Sequence, residues 1–311
     1  MSTPHFAVVA PCFNEGDVAL RFLVELQQVL AKCPARFTVV VVDDGSLDDT
    51  LALLREHRST VPNVNVQVIS LAYNMGHQEA INQGLLYAST TDAAHFIVMD
   101  SDGEDDPGAI VELVSLADSP VVFVARGRRS ESIGFKLGYW IYRRVFRFIA
   151  GRSISFGNYS MINRRVLEAV VDRSFVHYAA FLSKQRVPAR IIVRDRRPRT
   201  AGGTKMGFRS LSLHAFRSLI EYGEELVSIF LRGFIYLAVI FLLLFITILC
   251  IKLFTPYAIP GWASLLSISL FNSLLICLGF FSIGLLLVNT AQRRERSGRH
   301  LYKVIDTVRW T

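Results

Sequence analysis

The sequence predicts an α/β protein. A doubly wound, mostly parallel sheet flanked by helices comes first, then interfacial amphipathic helices, then a C-terminal hairpin of two transmembrane helices. Three observations predict this. Short β-branched runs alternate with helical patterns through the first 125 residues. Acid-rich motifs recur just after those runs. Two apolar stretches in the last third are each long enough to cross a bilayer.

The elements can be taken in order. Residues 6–10, 37–42, 66–71, 96–99 and 121–124 read as strands. Their near-continuous hydrophobicity suits parallel strands covered on both faces. Between the first two, Phe22, Leu23, Leu26, Val29 and Leu30 fall at helical spacing over 17–30. After the second, Ser46-Leu47-Asp48-Asp49 resembles a capping box ahead of Leu51, Leu53 and Leu54. Residues 76–88 read as the next helix. Strand–helix repetition of this kind argues a doubly wound sheet, where ligands bind beyond the carboxyl ends of the strands.

The last third differs in kind. Residues 233–254 carry one charge, Lys252, and 262–289 carry none. About 20 residues cross the ~30 Å hydrocarbon core, so both stretches qualify as spans. A short linker, 255–261, joins them without Lys or Arg. Arg217 and Arg232 precede the pair, and Arg293, Arg294, Arg296 and Arg299 follow it. The positive-inside rule then puts both termini and the N-terminal domain in the cytoplasm, with a bacterial inner membrane the expected location. Met1-Ser2-Thr3-Pro4-His5 leads straight into a strand, with no signal peptide expected. The expected organisation is a catalytic domain at 1–206 with an amphipathic interfacial segment near 130–150. A juxtamembrane helix at 207–232, the two spans within 233–290 and a basic cytoplasmic tail at 291–311 follow.

Charge is distributed unevenly. Residues 1–125 hold 5 Lys/Arg against 17 Asp/Glu, 126–232 hold 22 against 7, and the remainder 7 against 2. A basic middle calls for an anionic partner, either nucleic acid or a phosphorylated lipid surface. The two spans favour the lipid, and no nucleic-acid motif is present. Cys12, Cys33, Cys250 and Cys277 show no metal-ligand spacing and read as free thiols.

The chemistry lies at the strand ends. These carry Pro11-Cys12-Phe13-Asn14-Glu15, Asp43-Asp44-Gly45-Ser46, Asn74-Met75-Gly76-His77 and Asp100-Ser101-Asp102. Acids gathered there repel one another unless a cation joins them. A divalent metal carrying a nucleoside diphosphate is such a partner, because Mg²⁺ takes one or two carboxylates and fills its shell with phosphate and water. His77 reads as a solvated or capping histidine, with a phosphate-facing role as the alternative.

These residues resemble a known family. Pro11-x-x-Asn14-Glu15, Asp43-Asp44-Gly45-Ser46-x-Asp48-x-Thr50, Asn74-x-Gly76-x-x-x-Ala80-x-x-x-Gly84 and Asp100-x-Asp102 are similar to the family 2 glycosyltransferases of GT-A fold. With the C-terminal hairpin, the chain resembles the dolichyl- and polyprenyl-phosphate glycosyltransferases. The resemblance implies a nucleotide-sugar donor, a polyprenyl phosphate acceptor in the membrane, Mg²⁺ or Mn²⁺, and a homo-oligomer that can be a tetramer. It places Pro11, Asn14, Glu15, Asp43, Asp44, Asn74 and Gly76 around the nucleotide, with Asp43 or Asp44 accepting from the base edge. Asp100, Ser101 and Asp102 flank the diphosphate, with Asp102 the preferred metal ligand and Asp100 beside it. Arg126 faces the phosphates as a catalytic group with Asp100 and Asp102. Arg128 and Arg129 are expected at the lipid phosphate. Arg199 and Lys205 bracket a Gly202-Gly203 loop that resembles a cover over the donor.

The chain also departs from that pattern. Gly103 and Glu104 stand where the family shows Leu and Gln. Asn158 and Ser160 stand where it shows an acid and a base. An acceptor phosphate, already ionised, needs no strong general base, whereas an alcohol benefits from one. The missing acid therefore favours a phosphate acceptor. Two rivals are a processive family 2 synthase and a non-catalytic glycosyltransferase-like scaffold. Against the first, the chain lacks Gln-x-x-Arg-Trp and two spans are few for a polymer channel.

Overall fold

The computed structural model describes residues 3–127, 144, 148, 156–171, 175–185, 187–195, 221–255, 261–294 and 301–305. The chain divides into two compact units. One comprises Met1–Arg144, Ser153–Glu221 and Arg296–Thr311, the other Val145–Arg152 and Tyr222–Glu295.

The first unit is built on one eight-stranded sheet. Its strands are β1 (His5–Cys12), β2 (Arg36–Asp43), β3 (Val64–Leu71), β4 (His95–Val98), β5 (Val121–Arg126), β6 (Phe156–Asn163), β7 (Ala189–Arg194) and β8 (Tyr302–Ile305), in the order β7-β5-β6-β4-β1-β2-β3-β8. The pairs β1–β2, β1–β4, β2–β3 and β5–β7 are parallel. The pairs β4–β6, β5–β6 and β3–β8 are antiparallel. All five expected strands form.

Alternation along the central strands divides the core into two layers. Phe6, Val8 and Ala10 face Phe22, Leu23, Leu26 and Leu30 of α1 (Gly16–Leu30). Ala7 and Val9 face Ile81 and Leu85 of α3 (His77–Ser89). Helices on both faces explain why β1 has no polar face to offer solvent. α3 lies very close to the sheet. A Cβ at Gly84 would come within 2.4 Å of Val9 Cγ1 and 2.7 Å of Val42 Cγ2. The small residues Ala80 and Gly84, four apart, share the helix face that permits this approach. At the other end of α3, Arg164 donates to the carbonyls of Ser89 (3.2 Å) and Ala93 (2.6 Å) and lies over the Phe96 ring. A cation there satisfies orphan carbonyls and complements the helix dipole.

The short helices α2 (Thr50–Glu56), α4 (Ala109–Ser115), α5 (Arg164–Val171) and α6 (Tyr178–Lys184) complete the unit. The expected capping box at Ser46 does not form. α2 starts at Thr50 with Asp49 as N-cap and no side-chain cap bond, while Ser46 is drawn to Asn14 instead. Within the segment expected as a basic tail, Tyr302–Ile305 forms β8 on the edge of β3, and the Leu301 N–H donates to Gln83 Oε1 at 2.9 Å.

The second unit contains α7 (Gly223–Phe254) and α8 (Trp262–Arg294). Both hold stretches long and apolar enough to cross a membrane, Glu225–Phe254 and Trp262–Leu287. The first helix begins at Gly223, so the end of the surface helix expected over 207–232 is continuous with the first apolar helix. The remainder of that segment and almost all of 130–150 lie outside the described residues.

Candidate active site

The sheet order sets β4, β1, β2 and β3 side by side, so their four carboxyl-end motifs share one rim. Hydrogen bonds join the motifs to each other. The β1 and β2 loops interlock: the Asn14 N–H donates to Ser46 Oγ (2.9 Å), and Asn14 Oδ1 accepts the Leu47 N–H (2.8 Å). The Glu15 and Gly16 N–H groups both donate to Thr50 Oγ1, at 3.0 and 2.7 Å. Asn14 sits at φ +50°, a left-handed conformation Asn tolerates better than most residues. Asn14, Ser46 and Thr50 thus hold the cradle's shape.

The two adjacent acids where β2 ends, Asp43 its last residue and Asp44 the next, have different partners. Asp43, buried, accepts the Ser46 N–H at 3.2 Å and the Ser70 hydroxyl at 3.0 Å. Asp44, also buried, takes the Met75 N–H on one oxygen (2.7 Å) and the Gly76 N–H on the other (2.9 Å). Asp44 is therefore the clamp of the β3–α3 loop. Burial raises its pKa, and those two N–H donors pull it back. Gly45 completes the clamp at φ +66°, where a Cβ would lie 2.5 Å from the Tyr73 carbonyl carbon. Asn74 itself is exposed at the loop tip.

At β4 the Ser101 hydroxyl lies 2.7 Å from the Pro11 carbonyl and 2.6 Å from Glu15 Oε2, tying β4 to β1. The Asp100 N–H donates to Asp105 Oδ2 (3.0 Å), and Asp102 Oδ1 accepts the Glu104 N–H (3.0 Å). Gly103 takes φ +76° between them, so this departure from the family pattern serves a tight turn.

His77 is neither a cap nor simply solvated. Its Nε2 lies 3.2 Å from Asp100 Oδ1 and 3.0 Å from the Asn158 amide nitrogen. Burial opposes its charge, but Asp100, then Glu15 and Asp102, outweigh burial and raise its pKa. Asn158 arrives on β6, which pairs antiparallel with β4. Beneath it, Ser160 Oγ lies 3.3 Å from the Tyr178 hydroxyl, and Gln78 Oε1 accepts the Tyr178 N–H at 2.6 Å. Burial drives the Tyr178 hydroxyl far above its usual range, partly offset by Ser160. Sequence reasoning missed Ser70, Gln78 and Tyr178. Ser70 stood out only as a polar residue in an apolar run, while Gln78, between His77 and Glu79, and Tyr178, after His177, carried no signal of their own.

Of the expected site residues, the structure brings Pro11, Asn14, Glu15, Asp43, Asp44, Asn74, Gly76, Asp100, Ser101 and Asp102 to the rim. Arg126 ends β5, paired with Arg194 of β7. The Arg126 side chain, and Arg128, Arg129, Arg199 and Lys205 entirely, lie outside the described residues.

The Glycosyl transferase family 2 model matches residues 7–182, more than half of the chain. The protein belongs to that family. An uncharacterized glycosyltransferase of Bacillus subtilis, YkcC, is 28% identical over 297 residues, covering 90% of this chain and 87% of its own. The undecaprenyl-phosphate 4-deoxy-4-formamido-L-arabinose transferase of Klebsiella pneumoniae is 28% identical over 168 residues. That match covers 53% of this chain and 50% of the relative. Among solved structures, the Pyrobaculum calidifontis mannosyltransferase PcManGT, in complex with GDP-Man and Mn²⁺, superposes with a TM-score of 0.51 at 17% identity. It covers 73% of this chain and 65% of that one. Mannosyl-3-phosphoglycerate synthase of Rubrobacter xylanophilus gives 0.53 at 17% identity, with 72% and 74% covered. At such identities the structures establish the GT-A fold. The protein is thus a family 2 glycosyltransferase with two helices suited to a membrane.

Proposed function

We propose that the protein transfers a sugar from a nucleoside-diphosphate sugar to a polyprenyl phosphate at the cytoplasmic face of a membrane, with inversion at the anomeric carbon. The observation that carries this reading is the convergence of Asp100 and Asp102 with Glu15, Asp43 and Asp44 on one rim of a chain that also holds two membrane-length apolar helices. The likeness to an undecaprenyl-phosphate transferase over half its length supports the acceptor class.

The donor set fits Mg²⁺ or Mn²⁺. Among the described residues no group of three or more His, Cys, Asp or Glu forms a metal cage. A carboxylate pair, completed by phosphate and water, is the usual holding for such an ion. Asp102, with Asp100 beside it, would hold it. Bound there, it would supply positive charge to offset the charge developing on the leaving diphosphate. The protein's own part is to orient and desolvate. Asp44 and Gly45 fix the loop beside the nucleoside, and Ser101 locks Glu15 against β4. An acceptor phosphate oxygen attacks the anomeric carbon, whose bond to the diphosphate breaks, and the nucleoside diphosphate leaves with the electron pair. Asn158, a neutral amide near the rim, is no base, which suits an acceptor that arrives ionised. Arg126, Arg128, Arg129, Arg199 and Lys205 are proposed to face the donor and acceptor phosphates.

The test is transfer by the purified full chain from a panel of nucleotide-sugars to polyprenyl phosphate and to the free polyprenol, with Mg²⁺ or Mn²⁺. Product on the phosphate alone is expected. Product on the alcohol alone refutes the acceptor.

A further inference from the structure

His77 occupies a place that the donor-site reading leaves without a role. It opens α3 directly after Gly76, which takes φ +92°. From there its ring spans two neighbouring strands, β4 through Asp100 and β6 through Asn158. Its support is rigid from both directions. Asp44 fixes the preceding loop with both oxygens, Gly84 seats α3 against β1 and β2, and Arg164 holds the helix's far end. A functional group on a regular element, with its approach loop fixed, is held more closely than one on a free loop.

The hydrogen count at Nε2 limits what the ring can do. One ring nitrogen carries at most one hydrogen. If that hydrogen goes to Asp100 Oδ1, Nε2 has no lone pair left to accept an Asn158 N–H. The amide must then present its oxygen, an orientation equivalent in shape. With nitrogen toward the ring, Asn158 Oδ1 is buried without a hydrogen-bond partner among the described residues. Turning the amide gives that oxygen the imidazole N–H, while the Asp100 carboxylate stays in ion-pair reach of the same nitrogen at 3.2 Å. A carboxylate at 158 would add another negative charge beside Asp100, Glu15 and Asp102. Asn keeps the acceptor and omits the charge.

We propose that His77 is a positioning residue of this centre, holding Asp100 and Asn158 in one fixed arrangement beside Asp102 so that the carboxylate pair is set before a divalent cation arrives. This rests on the reading of the rim as the donor site. Its effect is exerted through Asp100, so it governs how well a cation is held more than how well the fold is held.

The test measures Mn²⁺ binding to the full chain in detergent by loss of the free-ion electron paramagnetic resonance signal, alone and with GDP or UDP. Wild type is compared with His77→Ala, His77→Gln and Asp102→Ala, with thermal midpoints recorded for each. His77→Ala is expected to weaken Mn²⁺ binding about tenfold, or ~1.4 kcal/mol, with a midpoint close to wild type. His77→Gln, whose amide nitrogen can stand in for Nε2, is expected to restore most of that loss. A purely structural role would instead lower the midpoint and spare the affinity of the folded fraction. Wild-type affinity in His77→Ala overturns the proposal, as does equal weakness of the Ala and Gln variants. If Asp102→Ala also binds as wild type does, the rim is not the cation site and the donor-site reading falls instead.

Discussion

The two ends of the central sheet each hold an aspartate–histidine pair, in opposite electrostatic settings. At the amino ends of the strands, His5 Nδ1 lies 2.6 Å from Asp92, which also accepts from Arg36, while His5 Nε2 lies 2.9 Å from Thr38 Oγ1. One carboxylate serves an imidazole and a guanidinium. At the carboxyl ends, His77 meets Asp100 with Glu15 and Asp102 also acting on it. Three carboxylates act on one imidazole. Burial and Arg36 lower the His5 pKa against the pull of Asp92, whereas the rim's acids raise that of His77. The foot is a balanced tie that closes the sheet. The rim gathers negative charge where a polar ligand can reach it.

Substitutions can sharpen or break this contrast. The largest effect is expected at the rim: Asp102→Ala should lower kcat/KM roughly 10²–10³-fold and remove any Mn²⁺-dependent thermal shift, with little change in stability without metal. Equal metal dependence in wild type and variant would break the contrast. Next is Gly45→Ala, which meets the Tyr73 backbone and a left-handed φ together. It should cost about 1–3 kcal/mol in denaturant unfolding and weaken nucleotide binding further, because Asp44 loses its hold on the loop. Substitution at the foot should do less. Asp92 is exposed and paired in water, so Asp92→Asn should leave donor KM and kcat unchanged, read by steady-state kinetics. The smallest effect is a pH dependence. The folded pKa of His5 lies below its unfolded value near 6.5, so its contribution to stability is present above that value and fades as pH falls through the folded pKa. Urea midpoints of wild type and His5→Gln should therefore converge in acid and separate above pH 6.5.

The same contrast shows what the sequence could reveal. The five parallel-sheet strands were legible because burial on both faces leaves an unbroken β-branched run, as in Phe37-Thr38-Val39-Val40-Val41-Val42. The rim was legible because polar motifs stand out at the ends of such runs. β6 was not, since Asn158, Tyr159 and Ser160 interrupt its apolar pattern, each for a different contact: Asn158 with His77, Tyr159 with the Asp106 carbonyl and Ser160 with the Tyr178 hydroxyl. β8 was hidden for another reason. An edge strand of four residues, Tyr302–Ile305, is specified by its partner β3 more than by its own sequence. Nor could spacing along the chain separate the roles of Asp43 and Asp44. Adjacent in sequence, they straddle the end of β2, with Asp43 turned toward its β3 neighbour Ser70 and Asp44 toward the α3 loop.

The central claim is that the rim carboxylates hold a cation-bridged nucleoside diphosphate. Crystals of the full chain grown with Mn²⁺ and a nucleotide-sugar, measured at the manganese absorption edge, test it most directly. The account predicts an anomalous peak within coordinating distance of Asp102, with phosphate oxygens completing the shell. Manganese bound only elsewhere, or nucleotide seated at the rim with no manganese beside it, would contradict it.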